Sequence, residues 1–313
     1  MKEPPFAGLR CSRLERARVA IVGLGLMGGS LAAALKARHA CSRVVGVARR
    51  QETADRALAR RYVDEANTDL AAGVAEADIV VLAMPVRAII RTLPDLGREL
   101  APGALLVDLG STKARIAAAM ATLPAHVHVC PAHPMCGKEL AGLDAADPDL
   151  FAGRTFVVSP LERTRPEALA LCEELVGAVG ARPLRLDPAR HDRLVAVASH
   201  LPYLLALALV AVAGQAANED PLLWQLAASG FRDTSRLAAS DVTMMLDVLM
   251  TNPGAIAGAV AQCREQLGRF EQLLHAGDEE GLRQMMEGAA ARRRAWAGPH
   301  VGAAPATNTH GHR

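Results

Sequence analysis

Residues 19–30 read VAIVGLGLMGGS. An apolar run enters a turn in which Gly23, Gly25 and Gly28 form G-x-G-x-x-G, and a helical stretch follows. The spacing has a physical cause. The first glycine allows a tight turn, the second lets the backbone approach a pyrophosphate, and the third lets helix and strand pack closely. The helix start then offers free N–H groups and its dipole to the phosphates. In this strand–turn–helix setting the motif marks a dinucleotide site, and Leu26 and Met27 within it are read as cofactor-binding with the three glycines. A turn of this kind implies a doubly wound parallel sheet around it.

The pattern from residue 17 to 187 agrees. Apolar runs at 18–23, 43–48, 78–83, 105–108, 127–130, 155–159 and 183–186 are expected strands. Most are apolar throughout, as parallel strands covered on both faces should be. Helical stretches at 28–39, 52–60, 86–99, 113–121 and 166–179 separate several of them. The fold class is therefore α/β, an N-terminal doubly wound, Rossmann-type parallel sheet. After Asp187 the β-branched runs vanish and Ala/Leu segments with helical spacing take over. Residues 188–297 are expected to form an all-helical second domain, with flexible tails at 1–16 and 298–313.

Composition removes several classes of function. Apolar residues make up 51% of the 313, so a sizeable core can be buried, but aromatics are only 3% and the net charge is +2. Single-strand binders want aromatic platforms in a basic groove, so nucleic acid is not an expected partner. The six cysteines (11, 41, 130, 136, 172 and 263) form no C-x-x-C pair and are read as reduced thiols of a cytoplasmic protein. The N-terminus has no apolar core of a secretory signal. Residues 195–217 carry no Asp, Glu, Lys or Arg and are long enough to span a bilayer, but Ser199-His200-Leu201-Pro202 interrupts them near the start. The reading is a helix from Pro202, buried on all sides in a domain core or between subunits, with no membrane involved.

The second expected strand ends in Ala48-Arg49-Arg50. NAD-specific sites place a carboxylate here for the ribose 2′-hydroxyl; this chain has Ala48 followed by two guanidinium groups suited to a 2′-phosphate. NADP is therefore the expected cofactor in preference to NAD, although two arginines at such a place can also simply face solvent. Met84 and Pro85 close the third long strand, where the chain passes the nicotinamide half of a dinucleotide.

Two further strand ends carry reactive side chains. Residues 105–108 run into Leu109-Gly110-Ser111-Thr112-Lys113, and residues 127–130 run into Pro131-Ala132-His133-Pro134. Ligands of doubly wound sheets sit beyond the carboxyl ends of the strands, which puts Ser111 and His133 at the mouth. The flanking prolines leave His133 little freedom, as a general base requires. An imidazole with an ordinary pKa of about 6.5 accepts a proton near neutrality.

The succession VGLGLMGGSL, DLGSTK, AHPMCGKE, SHLPY and SGFRDTSR resembles the prephenate/arogenate dehydrogenase family of tyrosine biosynthesis, over roughly residues 17–295. GVARRQ and SGFRDTSR resemble most its NADP-linked arogenate dehydrogenase branch. The resemblance implies oxidative decarboxylation of prephenate or arogenate with hydride transfer to NAD(P), giving 4-hydroxyphenylpyruvate or tyrosine. It implies that His133 binds the C4 hydroxyl and takes its proton, and that Ser111 bonds the same hydroxyl beside the nicotinamide. Arg236 matches the arginine for a substrate carboxylate, with Asp233 in the same motif. His200 matches a histidine near the substrate, and Glu139 a polar residue closing the pocket. Lys138 departs from the small hydroxyl residue of some members and suits either a contact to the substrate side chain or a solvated surface. The chemistry needs one base, one carboxylate clamp and one dinucleotide, and no metal. A homodimer through the helical domains is also implied.

From the residues alone, other readings stay open. His200 suits a satisfied core histidine, Arg236 a helix cap or interface, and Ser111 an N-cap for the helix that follows. β-Hydroxyacid dehydrogenases share the glycine turn and helical second domain but use a lysine there, and this chain has none after Lys138. A non-catalytic, NADP-sensing regulator on the same scaffold is the remaining alternative.

Overall fold

A computed structural model describes residues 8–138 and 140–300. The chain divides into two compact units, Met1–Ile256 and Ala257–Arg313, whereas the change in composition falls at 187/188. The first unit alternates strand and helix in chain order: β1 (Arg18–Val22), α1 (Leu26–Ala37), β2 (Arg43–Val47), α2 (Gln51–Ala59), β3 (Glu65–Asn67), α3 (Leu70–Val74), β4 (Ile79–Leu82), α4 (Val86–Glu99), β5 (Leu105–Asp108), α5 (Ala114–Ala121), β6 (His128–Pro134), β7 (Thr155–Val158), α6 (Pro166–Ala178) and β8 (Arg182–Arg185). Helices α7 (Pro188–Val195), α8 (Leu201–Glu219), α9 (Leu223–Leu226), α10 (Ser229–Ser235) and α11 (Val242–Thr251) complete it. The chain then runs into α12 (Pro253–Ala276) and α13 (Glu279–His300).

The eight strands form one sheet in the order β3-β2-β1-β4-β5-β6-β7-β8. Every pair is parallel except β6–β7. Chain order reverses between β1 and β4, which opens a crevice at their carboxyl ends. The inner strands are apolar and buried, as in Ile79–Leu82 and Leu105–Asp108, and two aliphatic clusters cover the two faces. Aromatic rings contribute little beyond Phe151 and Phe156, in keeping with the composition.

Strand β6 changes partner part-way. Residues 128–131 pair in parallel with β5, and Ala132, His133 and Pro134 pair antiparallel with Val158, Val157 and Phe156 of β7. The exchange falls at Pro131, which has no N–H to offer a ladder. His133 therefore lies within a strand that continues past the apolar run, paired with Val157 of β7, rather than in a loop.

Two expectations from composition need correction. Residues 8–16, expected as tail, are packed: Leu14 is buried in the first cluster, and Arg10 pairs with Asp78 at 3.3 Å. Residues 1–7 and 301–313 lie outside the described residues. The apolar helix does not begin at Pro202 and is not buried on all sides within one chain. Helical backbone runs from Pro188 to Glu219 through a π turn at Ala196–His200. The N–H that Pro202 lacks would have bonded the Ala198 carbonyl, inside that turn, so the widened turn lets the helix pass a proline. Within α8 only Tyr203, Ala206 and Ala213 are buried. Leu205, Leu207, Val210 and Val212 stand exposed, Val212 at 65%.

Candidate active site

The nucleotide end is built from backbone. Gly23 has φ +99°, and a Cβ there would sit 2.5 Å from the Ala83 carbonyl oxygen. A Cβ on Gly28 would lie 1.9 Å from the Gly23 carbonyl oxygen, so α1 can approach β1 only with glycine at this place. Gly25 is different: a Cβ there meets nothing within 4 Å. It is the N-cap of α1, with no side chain capping the helix, so the N–H groups of the first turn face an open cradle. That cradle fits the pyrophosphate of a dinucleotide. Leu26 and Met27 form the first turn beside it and pack against the core. Met84 lies against Gly23, its Cγ 3.1 Å from where a Gly23 Cβ would be, and Pro85 caps α4. Arg49 and Arg50 follow β2 directly, and both are exposed. The strand end itself carries Ala48 rather than a carboxylate, its N–H bonded to the Asn67 carbonyl at 3.0 Å.

The reactive end is built from side chains. His133 Nδ1 lies 2.8 Å from His191 Nε2, with the rings edge to face. His191 is fully buried on α7, and its Nδ1 lies 2.8 Å from Asp192 Oδ1. Asp192 also accepts the N–H of Lys113 at 2.7 Å and of Ala114 at 2.9 Å. It thus caps α5, the task open to Ser111 from the sequence, and Ser111 remains a half-buried hydroxyl on the loop above.

These partners fix the protons. Burial opposes a charge on Asp192, but the bonds from His191, Ala114 and Lys113 hold its carboxyl below the usual range, so it is an acceptor. A neutral His191 that donates from Nδ1 to Asp192 presents the lone pair of its Nε2. That lone pair takes the Nδ1 proton of His133, and His133 Nε2 is left unprotonated. Burial, then His191, Lys113 and His200, hold the His133 pKa well below its ordinary value, so this lone pair persists through neutral pH. His200 is buried at the end of the π turn, its pKa pushed down to about 4 chiefly by burial, and its Nδ1 has no hydrogen-bond partner among the described residues.

Helix α11 is bound to the same region. Asp247 accepts the Arg87 N–H at 3.0 Å and pairs with the Arg87 guanidinium, Thr251 meets Thr112 at 2.8 Å, and Asn252 donates to the Asp192 carbonyl at 2.8 Å.

The other residues singled out from the sequence lie further out. Arg236 opens an exposed 3-10 turn, Arg236–Ala239, that packs on α8; Leu237 of this turn joins the cluster of Tyr203, Met245 and Val248. Asp233 is exposed and pairs with Arg232 at 3.2 Å. Lys138 is half-exposed and pairs with Asp147 at 2.8 Å, whose own N–H bonds the Ser30 hydroxyl of α1. Glu139 lies outside the described residues. His191 and Asp192, which the structure brings against His133, are candidate site residues that the sequence reading misses. The signal available is positional: His191, Val195, Ala196 and His200 recur on one buried face of the helix.

Comparison with known proteins finds relatives along most of the chain. The family model described as "Prephenate dehydrogenase, nucleotide-binding domain" matches residues 31–184, starting just past the glycine turn, and "Prephenate dehydrogenase, dimerization domain" matches 187–288. A prephenate dehydrogenase of Bacillus subtilis is 31% identical over 266 residues, 84% of this chain and 72% of the relative. The chain belongs to the prephenate dehydrogenase family. Among solved structures, an arogenate dehydrogenase of Synechocystis is similar with TM-score 0.78 and 31% identity, covering 89% of this chain and 99% of its own. A prephenate dehydrogenase of A. aeolicus, solved with hydroxyphenyl propionate and NAD+, is similar with TM-score 0.82 and 26% identity, covering 89% and 98%.

Proposed function

We infer that this protein catalyses the oxidative decarboxylation of prephenate or arogenate, with hydride transfer to a nicotinamide dinucleotide, in tyrosine biosynthesis. The observation that carries the reading is the chain His133–His191–Asp192, which presents an unprotonated Nε2 at a strand end of a dinucleotide-type sheet. When bound, the nicotinamide accepts the hydride that leaves C4 of the substrate ring. His133 Nε2 takes the proton of the C4 hydroxyl, electron density falls into the new C–O double bond, and hydride loss is favoured. The C1–CO2 bond then breaks, its electron pair passes through the ring to the C4 oxygen, and that oxygen recovers the proton from His133, which leaves CO2 and an aromatic 4-hydroxyphenyl ring. As His133 gains its proton, its Nδ1–H bond to His191 strengthens, and Asp192 supplies the negative charge that steadies the imidazolium.

Around this base we assign Ser111 as hydrogen-bond partner of the same hydroxyl and Arg236 as partner of a substrate carboxylate, a bidentate contact in its strongest form. His200 lies beside the substrate, where its buried Nδ1 offers a bond. By resemblance Glu139 is assigned to the substrate pocket, and Asp233 to the motif that carries Arg236. Lys138 is assigned to the pocket rim, where Asp147 holds it. Gly23, Gly25, Leu26, Met27, Gly28, Met84 and Pro85 hold the dinucleotide.

The preference for NADP rests on Arg49 and Arg50 at a strand end without a carboxylate. We place the functional division at 187/188, with 17–187 binding the dinucleotide and 188–297 serving substrate and dimerisation. A homodimer is supported by the apolar residues α8 and α11 leave exposed, among them Val210, Val212, Val242 and Met250. Six free cysteines support a cytoplasmic location.

The test is a four-way assay, prephenate and arogenate each with NADP+ and NAD+, read by the absorbance of the reduced nicotinamide. Turnover with one of the two acids is expected, faster with NADP+. A protein that binds NADP+ but reduces it with neither acid is the sensing regulator instead.

A further inference from the structure

Beneath His133 lies a second polar group of another kind. The Lys113 ammonium is paired with the Asp108 carboxylate, and both side chains are wholly excluded from solvent. Lys113 heads the fully buried side chains of the described residues by size. Taking two charges out of water is expensive, and apolar side chains of similar volume commonly serve stability as well or better. A pair retained here is better explained by what it is connected to.

Asp108 ends β5. One of its oxygens receives the Lys113 ammonium and the Gly110 N–H at 2.8 Å, in the loop that presents Ser111. The other receives the Ala132 N–H at 3.3 Å, directly before His133. One carboxylate therefore ties both reactive strand ends. Lys113 in turn donates its backbone N–H to Asp192, the carboxylate that orients His191. A continuous path runs from Asp108 through Lys113, Asp192 and His191 to His133.

We propose that the buried Lys113–Asp108 ion pair is a positioning element of the catalytic site, which fixes the segments carrying Ser111 and His133 and sets the charge field in which His133 works. The inference rests on His133 being the base. Charged and titratable groups around that imidazole come from three elements: Asp108 and Lys113 from the β5–α5 loop, His191 and Asp192 from α7, and His200 from the π turn. Lys113 is among those whose charge opposes protonation of His133, after burial and His191. The positive charge keeps the base available, and the negative partner keeps that charge in place beneath it.

The double substitution D108N/K113M removes both charges, nearly keeps both volumes, and leaves Asn an acceptor for one backbone N–H. In the protein saturated with NADP+, we expect kcat to fall by about tenfold or more, within the range that general-base placement is worth. KM for the acid is expected to change less than about threefold, and NADP+ affinity and melting temperature to report a folded protein. The acid limb of the kcat/KM profile should move, because both charges of the pair are gone from around the imidazole. A loss of packing alone lowers kcat without moving that limb. A folded, cofactor-binding double variant with wild-type kcat and an unmoved limb overturns the proposal.

Should the double variant fail to fold, ¹⁵N resonances of the imidazoles in the wild-type holoenzyme decide instead. His133 is expected to stay neutral below the ordinary value of about 6.5, with Nε2 unprotonated. A His133 that titrates at or above that value overturns the charge-field role. This titration needs no turnover, so it stands even if the assay finds no dehydrogenase activity.

Discussion

At the glycine turn the chain offers its ligand backbone from a single stretch of a few residues; at the reactive end it offers side chains gathered from β5, β6, α7 and the π turn. The first is a short motif. Gly28 is required by the Gly23 carbonyl of the same turn, and Gly23 by the Ala83 carbonyl at the end of the neighbouring strand β4. The second is tertiary: His133 and His191 are 58 residues apart, Lys113 and Asp192 79. Charge is handled in opposite ways too. Arg49 and Arg50 sit exposed in water, while Asp108, Lys113, His191 and Asp192 are buried and held by one another. A local site tolerates loose surroundings. A tertiary one fails when any member moves, because each buried polar group loses the partner that offsets its desolvation.

The largest effect is expected at His133, the proposed base. His133→Asn keeps a polar side chain of similar reach but removes the proton acceptor, and kcat should fall by about 10²–10⁴-fold with KM little changed. Steady-state kinetics with NADP+ saturating measure this, and an unchanged kcat would take His133 out of the mechanism. Asp192→Asn comes next. Its amide still accepts one bond but no longer dictates the proton on His191, so we expect a loss of about 10²-fold in kcat. Cofactor affinity should be untouched, because the glycine turn shares no partner with α7. Equal losses in kcat and cofactor binding would show that the two ends are not separable in this way.

Much of the local half was legible in the sequence, and the reasons are physical. Continuous apolar runs mark the inner strands β1, β2, β4 and β5 because both faces are covered. Edge strand β3, Glu65-Ala66-Asn67, has no apolar run and pairs on one side only, so nothing in composition announces it. Pro131 and Pro134 read as the end of a strand, yet β6 continues through them by changing neighbour. Ser199-His200-Leu201-Pro202 reads as a break because the sequence does not display a π turn. Nothing in the sequence reading singles out His191-Asp192; only the fold places them against β6 and the start of α5. Ser111 and His133 are legible because each follows an apolar run closely. Arg236, Asp233 and Lys138 come through family resemblance, and the structure sets them on the periphery of the buried cluster.

The same buried cluster should make the fold sensitive to acid. The His200 pKa is pushed down to about 4, first by burial. A histidine held below its unfolded value favours the folded state above about pH 6.5, and the benefit is lost as pH falls from there through about 4. The gap corresponds to roughly 3 kcal/mol from this one imidazole. His133 moves in the same direction and adds to the effect. Urea unfolding at pH 7 and pH 4.5 should show the drop, and His200→Gln should reduce it. A profile that His200→Gln leaves unaltered would place the acid sensitivity elsewhere.

The smallest effect is expected at the exposed arginines, and it sharpens the comparison most directly. Removing a charged hydrogen-bond partner costs about 1.5–3 kcal/mol in a sheltered site, but Arg49 and Arg50 stand in water, where screening weakens the contact. Arg49→Ala or Arg50→Ala should therefore weaken NADP+ binding by only about tenfold at low salt, and by less at physiological ionic strength. NAD+ lacks the 2′-phosphate, so its affinity should hold within about twofold. Titration by fluorescence at two salt concentrations separates the cases. An equal loss for both dinucleotides would make the arginines general phosphate contacts, and no loss for either would leave the choice of cofactor to other groups. If the loss for NADP+ ignores salt, the two guanidinium groups are sheltered when the dinucleotide is bound, and the contrast between an open nucleotide end and a closed reactive end disappears on binding.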